Sequence, residues 1–141
     1  MNPAVVLAVL AGVAIAVQVT VNAVGLRGFG VGALIGVSAL TTSVIGFAIA
    51  IFIQRPDDLT GKAIAASVVS GILGSFILGS VVVASEQGGL ARTLSLVLGA
   101  QLLAGLVIDR LGLFGPAGQL GSTRILGVAL ILIGGLLLVR E

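Results

Sequence analysis

The residues of this chain that could do chemistry are amides and hydroxyls inside long apolar runs. Six of them form a candidate pathway for a polar solute: Gln18, Asn22, Thr41, Thr42, Ser43 and Gln101. Polar side chains inside an apolar helix bind either a neighbouring helix or a solute. For the amides these two roles are equally supported, and the three hydroxyls are expected to bond back to their own helix.

Catalysis by side chains is not expected. The chain has no Cys, no His and five acidic residues, which excludes thiol and imidazole chemistry, disulfides and Cys/His metal sites. No set of nucleophile, base and acid can be assembled, so we expect no enzyme activity, no metal and no cofactor. The net charge of +2, with no basic cluster, argues against a nucleic-acid partner.

The elements that position these residues follow from composition. The 141 residues are 58% hydrophobic and 9% charged, whereas about a quarter of the residues of a soluble domain are charged. Because about 20 apolar residues cross a bilayer and lipid leaves no water for open backbone groups, we predict an all-α integral membrane domain over 1–141. Its five predicted transmembrane helices are 3–23, 31–53, 63–84, 90–108 and 122–139, joined by loops at 25–28, 54–58, 85–89 and 111–121.

Small residues recur at spacing four in three of these helices. The predicted packing positions are Gly12, Gly32, Gly36, Gly71, Ser75 and Gly79. Spacing four keeps small residues on one helix face and lets two backbones approach closely. The close approach could lie within one subunit or at a subunit interface, and the sequence leaves both open.

The basic residues hardly favour either orientation in the membrane. With five crossings, one side carries Arg55, Lys62, Arg110 and Arg124, and the other carries Arg27, Arg92 and Arg140. Orientation follows an excess of Lys and Arg on one side, so this balance predicts insertion both ways and an antiparallel homodimer with inverted pseudo-repeats. A single orientation, or a partner chain facing the other way, is the alternative.

Charged residues lie at the ends of the predicted helices and none lies at a helix centre. Arg92, near the start of the fourth helix, and Asp109, just past its end, are interpreted as interfacial charges, with a gate role left open for both and an ion-pair role left open for Asp109. Proton- or cation-coupled carriers usually need a buried carboxylate. A neutral, amphipathic or anionic substrate is therefore favoured.

One stretch carries a family resemblance. Residues 99–115 combine Gln101, an aliphatic turn, Asp109 and a closing Phe114-Gly115. This pattern resembles the YdcZ-type proteins of the drug/metabolite transporter superfamily, and so do Gln18 to Ala23 before Leu26-Arg27 and the aliphatic last span. The chain departs from the family pattern at Ala100, Leu111, Ser85-Glu86-Gln87 and Arg92, and it has no Trp or Tyr.

The resemblance implies a five-helix half-transporter that works as a homodimer or a pair, and it supplies no substrate. We therefore hypothesise a multi-pass protein of the bacterial inner membrane that moves a small molecule by alternating access as an antiparallel dimer. One alternative is a dual-topology ion channel of the fluoride-channel kind, echoed by Thr20-Val21-Asn22 and opposed by the fifth span. Another is a membrane scaffold subunit that transports nothing.

Overall fold

The structure, a computed structural model, describes residues 2–53, 60–112 and 121–140. Within these ranges the chain forms four α-helices: α1 (Pro3–Phe52), α2 (Gly61–Gly88), α3 (Leu90–Leu111) and α4 (Ser122–Arg140). Each is long and apolar enough to cross a membrane. The prediction of an all-α membrane protein is thus confirmed. The chain divides into two compact units, Met1–Val83 and Ala84–Glu141.

Helix α1 begins at a conventional cap and is interrupted once. The Asn2 side chain accepts a hydrogen bond from the Ala4 amide at 3.0 Å, and Pro3 occupies the first helical position, where no amide hydrogen is needed. Gly30 has φ 80° and ψ 169°, a backbone conformation that residues other than glycine rarely adopt. The helical path therefore breaks at Gly30.

The two parts of α1, 3–29 and 31–52, lie side by side. A methyl group built on Gly25 would lie 2.9 Å from Leu34 Cδ1, although nine residues of straight helix span about 13.5 Å. Gln18 and Thr42 line one groove, although a straight helix would separate them by about 36 Å. The chain therefore reverses direction around Gly30.

Two of the predicted loops are helical. Residues 25–28 belong to α1, and α2 continues through residues 85–88 to Gly88, so that Gly89 alone separates α2 from α3. The prediction placed both loops too early, because it took charged and glycine residues as helix ends. A continuing helix satisfies its own backbone, and in these two regions the helical path breaks instead at glycines with positive φ, Gly30 and Gly89. The predicted loop at 54–58, and residues 113–120 of the last one, lie outside the described residues.

One small residue brings two helices of the first unit together. A methyl group on Gly79 of α2 would lie 3.2 Å from Ile35 Cδ1 and 3.5 Å from Val31 Cγ2, so the backbone of α2 approaches the 31–52 segment closely. At four other predicted packing positions the described part of the chain places nothing within 4 Å of an added methyl group: Gly12, Gly32, Gly36 and Gly71. Their packing role remains a prediction.

In the second unit, α3 and α4 pack against each other through glycines. A methyl group on Gly99 would lie 3.0 Å from Leu132 Cδ2, and one on Gly135 would lie 3.6 Å from Ser95 Cβ. Gly99, at this contact, is one of two buried residues of α3, and Thr93 near its start is the other. Large apolar side chains elsewhere on the helices are exposed, as expected of surfaces that face lipid.

Candidate functional site

A groove of about 440 Å³ with a mixed polar and apolar lining lies in the first unit, between both parts of α1 and helix α2. Seven of its lining residues carry amides or hydroxyls: Gln18, Ser38, Thr42, Ser43, Ser67, Ser70 and Ser75. Its apolar lining includes Ile35, Ala39 and Leu78. Such a volume lies in the range of small-molecule sites, about 300–1,000 Å³. The groove is the candidate functional site.

Four of the six hydroxyls that line the groove are held by their own helices. Thr42 Oγ1 donates to the Ser38 carbonyl oxygen at 2.9 Å, and Ser43 Oγ donates to that of Ala39 at 2.8 Å. On α2, Ser67 and Ser75 donate to the carbonyl oxygens four residues earlier at 2.9 and 3.0 Å. Such back-bonding is how hydroxyls are accommodated within a helix. It also gives each of these side chains a defined orientation.

Gln18 differs from these hydroxyls, because its amide cannot be satisfied by its own helix in this way. The side chain is exposed, lines the groove, and makes no hydrogen bond to the described part of the chain. An amide has two donor hydrogens and an acceptor oxygen. Gln18 can therefore bind a solute or a neighbouring chain with its full hydrogen-bonding capacity.

The structure brings three of the six sequence-predicted pathway residues together: Gln18, Thr42 and Ser43. Asn22 is half-buried one helical turn beyond Gln18 and is not part of the lining. Thr41 donates to the Val37 carbonyl oxygen at 2.9 Å and is also outside the lining. The consecutive hydroxyls of α1 thus differ in their surroundings, because successive helical residues point in different directions.

Gln101 belongs to the second unit, on α3. Its side chain is exposed and, among the residues that the structure describes, has no hydrogen-bond partner. A second pocket of about 220 Å³ lies between α3 and α4, lined by Ala100, Leu103 and Leu136 among others, without Gln101. Arg92 is exposed near the start of α3. The structure does not assign a solute contact to either predicted residue.

Asp109 forms an ion pair with Arg124, from the last turn of α3 to the first turn of α4. Both side chains are partly exposed, 52% for Arg124 and 41% for Asp109. An acidic group at a helix C-terminus and a basic group at an N-terminus each oppose the helix dipole. The pair offsets both mismatches and joins the two helix ends. An ion-pair role of Asp109 was left open from the sequence, but its partner Arg124 was not identified.

Three groove hydroxyls, Ser38, Ser67 and Ser70, were not among the predicted site residues, and Ser75 was predicted only as a packing position. A signal was present, because Ser38 precedes Thr42 by four residues, and Ser67, Gly71 and Ser75 are spaced by four. That spacing places each set on one helix face. We interpreted the α2 series as a packing face, and the structure places Gly71 and Ser75 in the groove lining.

Comparison with known proteins identifies a family whose model covers nearly the whole chain. A family model, DMT_YdcZ, described as "putative inner membrane exporter, YdcZ", matches residues 3–137. No curated protein and no solved structure matches the chain.

Proposed function

The chain belongs to this YdcZ family of inner-membrane proteins, and on that premise we propose that it is half of a secondary transporter that exports a small molecule. Its substrate would bind in the groove, and two antiparallel copies would rock about that site to give alternating access. The observation that carries the proposal is the groove itself, where polar side chains from three apolar segments converge. Membrane helices retain polar side chains mainly where these serve packing or a pathway.

The proposed half-transporter has five membrane crossings, two of them in α1. At 1.5 Å per residue, segments 3–29 and 31–52 are about 40 and 33 Å long, enough to cross about 30 Å of hydrocarbon each. Their side-by-side arrangement around Gly30 supports this count. Five crossings would leave the two chain termini on opposite sides of the membrane.

One feature supports an antiparallel arrangement and a second supports the pairing of two copies. Basic residues number four on one side and three on the other in the five-crossing topology, which gives little preference for either orientation. Small residues at Gly12, Gly32 and Gly36 have open space around them in the described chain. Small residues at a helix surface permit close association with another helix, here one from a second copy.

In this proposal Gln18 is the principal solute contact, with Thr42 and Ser43 beside it. Asn22 lies one turn along the same face of α1, and Gln101 would contribute from α3 as a third amide of the pathway. Asp109 and Arg92 would stay at the membrane interfaces, where the ion pair of Asp109 joins two helix ends.

Orientation can be tested with single cysteines, because the natural chain has none. Lys62→Cys and Gln87→Cys lie on opposite sides in the five-crossing topology. Each is labelled in intact cells with a membrane-impermeant maleimide, and labelling after permeabilisation gives the total. Dual insertion predicts partial external labelling of both sites. Complete labelling of one site and none of the other would eliminate the antiparallel dimer.

Export can be tested before the substrate is identified. Culture medium from cells that express the native chain is compared by untargeted mass spectrometry with medium from cells that express Gln18→Leu. We expect at least one solute to accumulate outside with the native chain and to fall towards background with Gln18→Leu. Thr20→Val is the matched control, because Thr20 bonds to its own helix and does not line the groove. If the media of cells with the native chain and with Gln18→Leu are identical, a scaffold role is favoured. Rapid ion flux through the chain in liposomes would favour a channel.

A further inference from the structure

The lining of the groove is selective in the direction of its hydrogen bonds. We infer that it binds an uncharged solute that has an apolar body and one edge rich in O–H or N–H donors. The inference rests on the proposed export function, since it names the substrate class of the same groove.

Most hydroxyl hydrogens of the groove lining are used within the helices. Four lining hydroxyls each donate to a backbone oxygen four residues earlier, at 2.8–3.0 Å: Thr42, Ser43, Ser67 and Ser75. A hydroxyl has one hydrogen and two lone pairs. Because the hydrogen is used within the helix, each of these groups offers the groove an acceptor oxygen only.

Donors are fewer in the lining. The Gln18 amide has two N–H hydrogens, and the hydroxyls of Ser38 and Ser70 make no hydrogen bond as donors within the described residues. The Gln18 oxygen adds one more acceptor. A solute with several donors and few acceptors therefore satisfies more of the lining than a solute with only acceptors.

The described lining of the groove is uncharged. No charged side chain is among the described residues that line the groove. A cation would find acceptor oxygens but no carboxylate to offset its lost hydration, and an anion would face those same oxygens. Both ions are therefore disfavoured relative to an uncharged solute with the same shape.

The groove also has an apolar side. Ile35, Ala39 and Leu78 give the groove an apolar side, and its volume of about 440 Å³ suits a small organic molecule. A fully polar solute would leave the apolar side unused, and a hydrocarbon would leave the acceptors unpaired. An amphipathic molecule with a polar, donor-rich edge fits both sides.

A matched series of glucosides tests this inference by equilibrium dialysis against the purified full chain in detergent. Phenyl β-glucoside is uncharged and has four hydroxyls beside an aromatic ring. Its tetra-O-methyl ether keeps the ring and the oxygens without a donor, and the 4-carboxyphenyl and 4-trimethylammoniophenyl glucosides add one charge. We expect the parent glucoside to bind and the ether to bind at least about tenfold more weakly, as loss of one or two hydrogen bonds predicts. Both charged analogues should also bind more weakly than the parent.

Variants place the site. Thr42→Val removes one acceptor oxygen and keeps the side-chain shape, so parent binding should weaken roughly fivefold, the equivalent of about one hydrogen bond. Ser75→Ala, from the other wall, gives a second reading if Thr42→Val folds poorly. Thr20→Val removes a hydroxyl that is also bonded within its helix, to Ala16 at 2.9 Å, and lies outside the lining. It should bind the parent like the native chain.

Three outcomes would overturn the inference: tighter binding of the ether or of a charged analogue, equal binding of the parent by Thr42→Val, Ser75→Ala and the native chain, or no binding of the parent. None of them would by itself refute export. The proposed function is judged separately, by solutes that depend on Gln18 in culture medium.

Discussion

Enlarging Gly99 should separate α3 from α4. Gly99 is buried, and a methyl group there would already lie 3.0 Å from Leu132 Cδ2. A leucine adds three more carbons towards the same neighbour, so Gly99→Leu must displace Leu132 or the α4 backbone. Gly105 is the matched control on the same helix, because an added methyl group there meets nothing within 4 Å in the described chain.

The magnitude follows from the difference between the two sites. Replacing glycine by leucine inside a helix adds about 1 kcal/mol of helix propensity at either position, so this gain cancels in the comparison. Overfilling a packed contact costs about 1–3 kcal/mol. We therefore expect the free energy of unfolding of Gly99→Leu to lie about 1–3 kcal/mol below that of Gly105→Leu.

Unfolding can be followed in mixed micelles as SDS is added. Because the chain has no Cys, dyes on two introduced cysteines, at Arg92 and Arg140, report α3–α4 separation through loss of energy transfer. Leu132→Ala should partly rescue Gly99→Leu, with a coupling energy of about 0.5–3 kcal/mol in a double-mutant cycle. Equal stabilities of Gly99→Leu and Gly105→Leu, or no coupling to Leu132, would refute the packing argument.

The remaining predictions concern the backbone break and the ion pair. Gly30→Ala should lower the free energy of unfolding by about 1–3 kcal/mol, because φ is 80° there. Gly28→Ala, in helical backbone with open space around it, should not lower it. The same SDS titration, with dyes on α1 and α2, measures both variants. Asp109→Arg combined with Arg124→Asp keeps the pair and matches both helix dipoles. The free energy of unfolding of this double exchange should therefore exceed that of the native chain by about 0.3–1 kcal/mol for each charge. Each single exchange, which places two like charges together, should be less stable, and a double exchange no better than the singles would show that the pair contributes nothing.

Much of the architecture is determined locally. A run of about 20 apolar residues is a membrane helix wherever it occurs, since lipid leaves no other way to satisfy the backbone. The positions of α2, α3 and α4 follow from such runs. Helix ends are less local, because a residue such as Gln87 or Arg27 can stay helical and extend to the interface. The ends at Gly30 and Gly89 depend on backbone angles that the composition of a loop does not reveal.

The chemistry of the site was partly visible in the sequence. The inventory of amides and hydroxyls, the lack of Cys and His, and the lack of charges at helix centres all restrict the substrate before any fold is known. These conclusions need only residue types and their depth in a span. The back-bonding of Thr41, Thr42 and Ser43 was also predictable, because the acceptor lies four residues away in the same helix.

The sequence by itself therefore determines that this protein is helical, lies in the membrane and contains uncharged polar groups. Only the tertiary structure decides that Gln18 shares a groove with Thr42 and Ser75, and that Asp109 meets Arg124. The physical reason is that α1, α2 and α4 are apolar around most of their circumference, so no amphipathic stripe marks their packed faces. The choice of face depends on shape complementarity between residues far apart in sequence, such as Gly79 and Ile35. The order of residues along the chain does not reveal which of them come close in space.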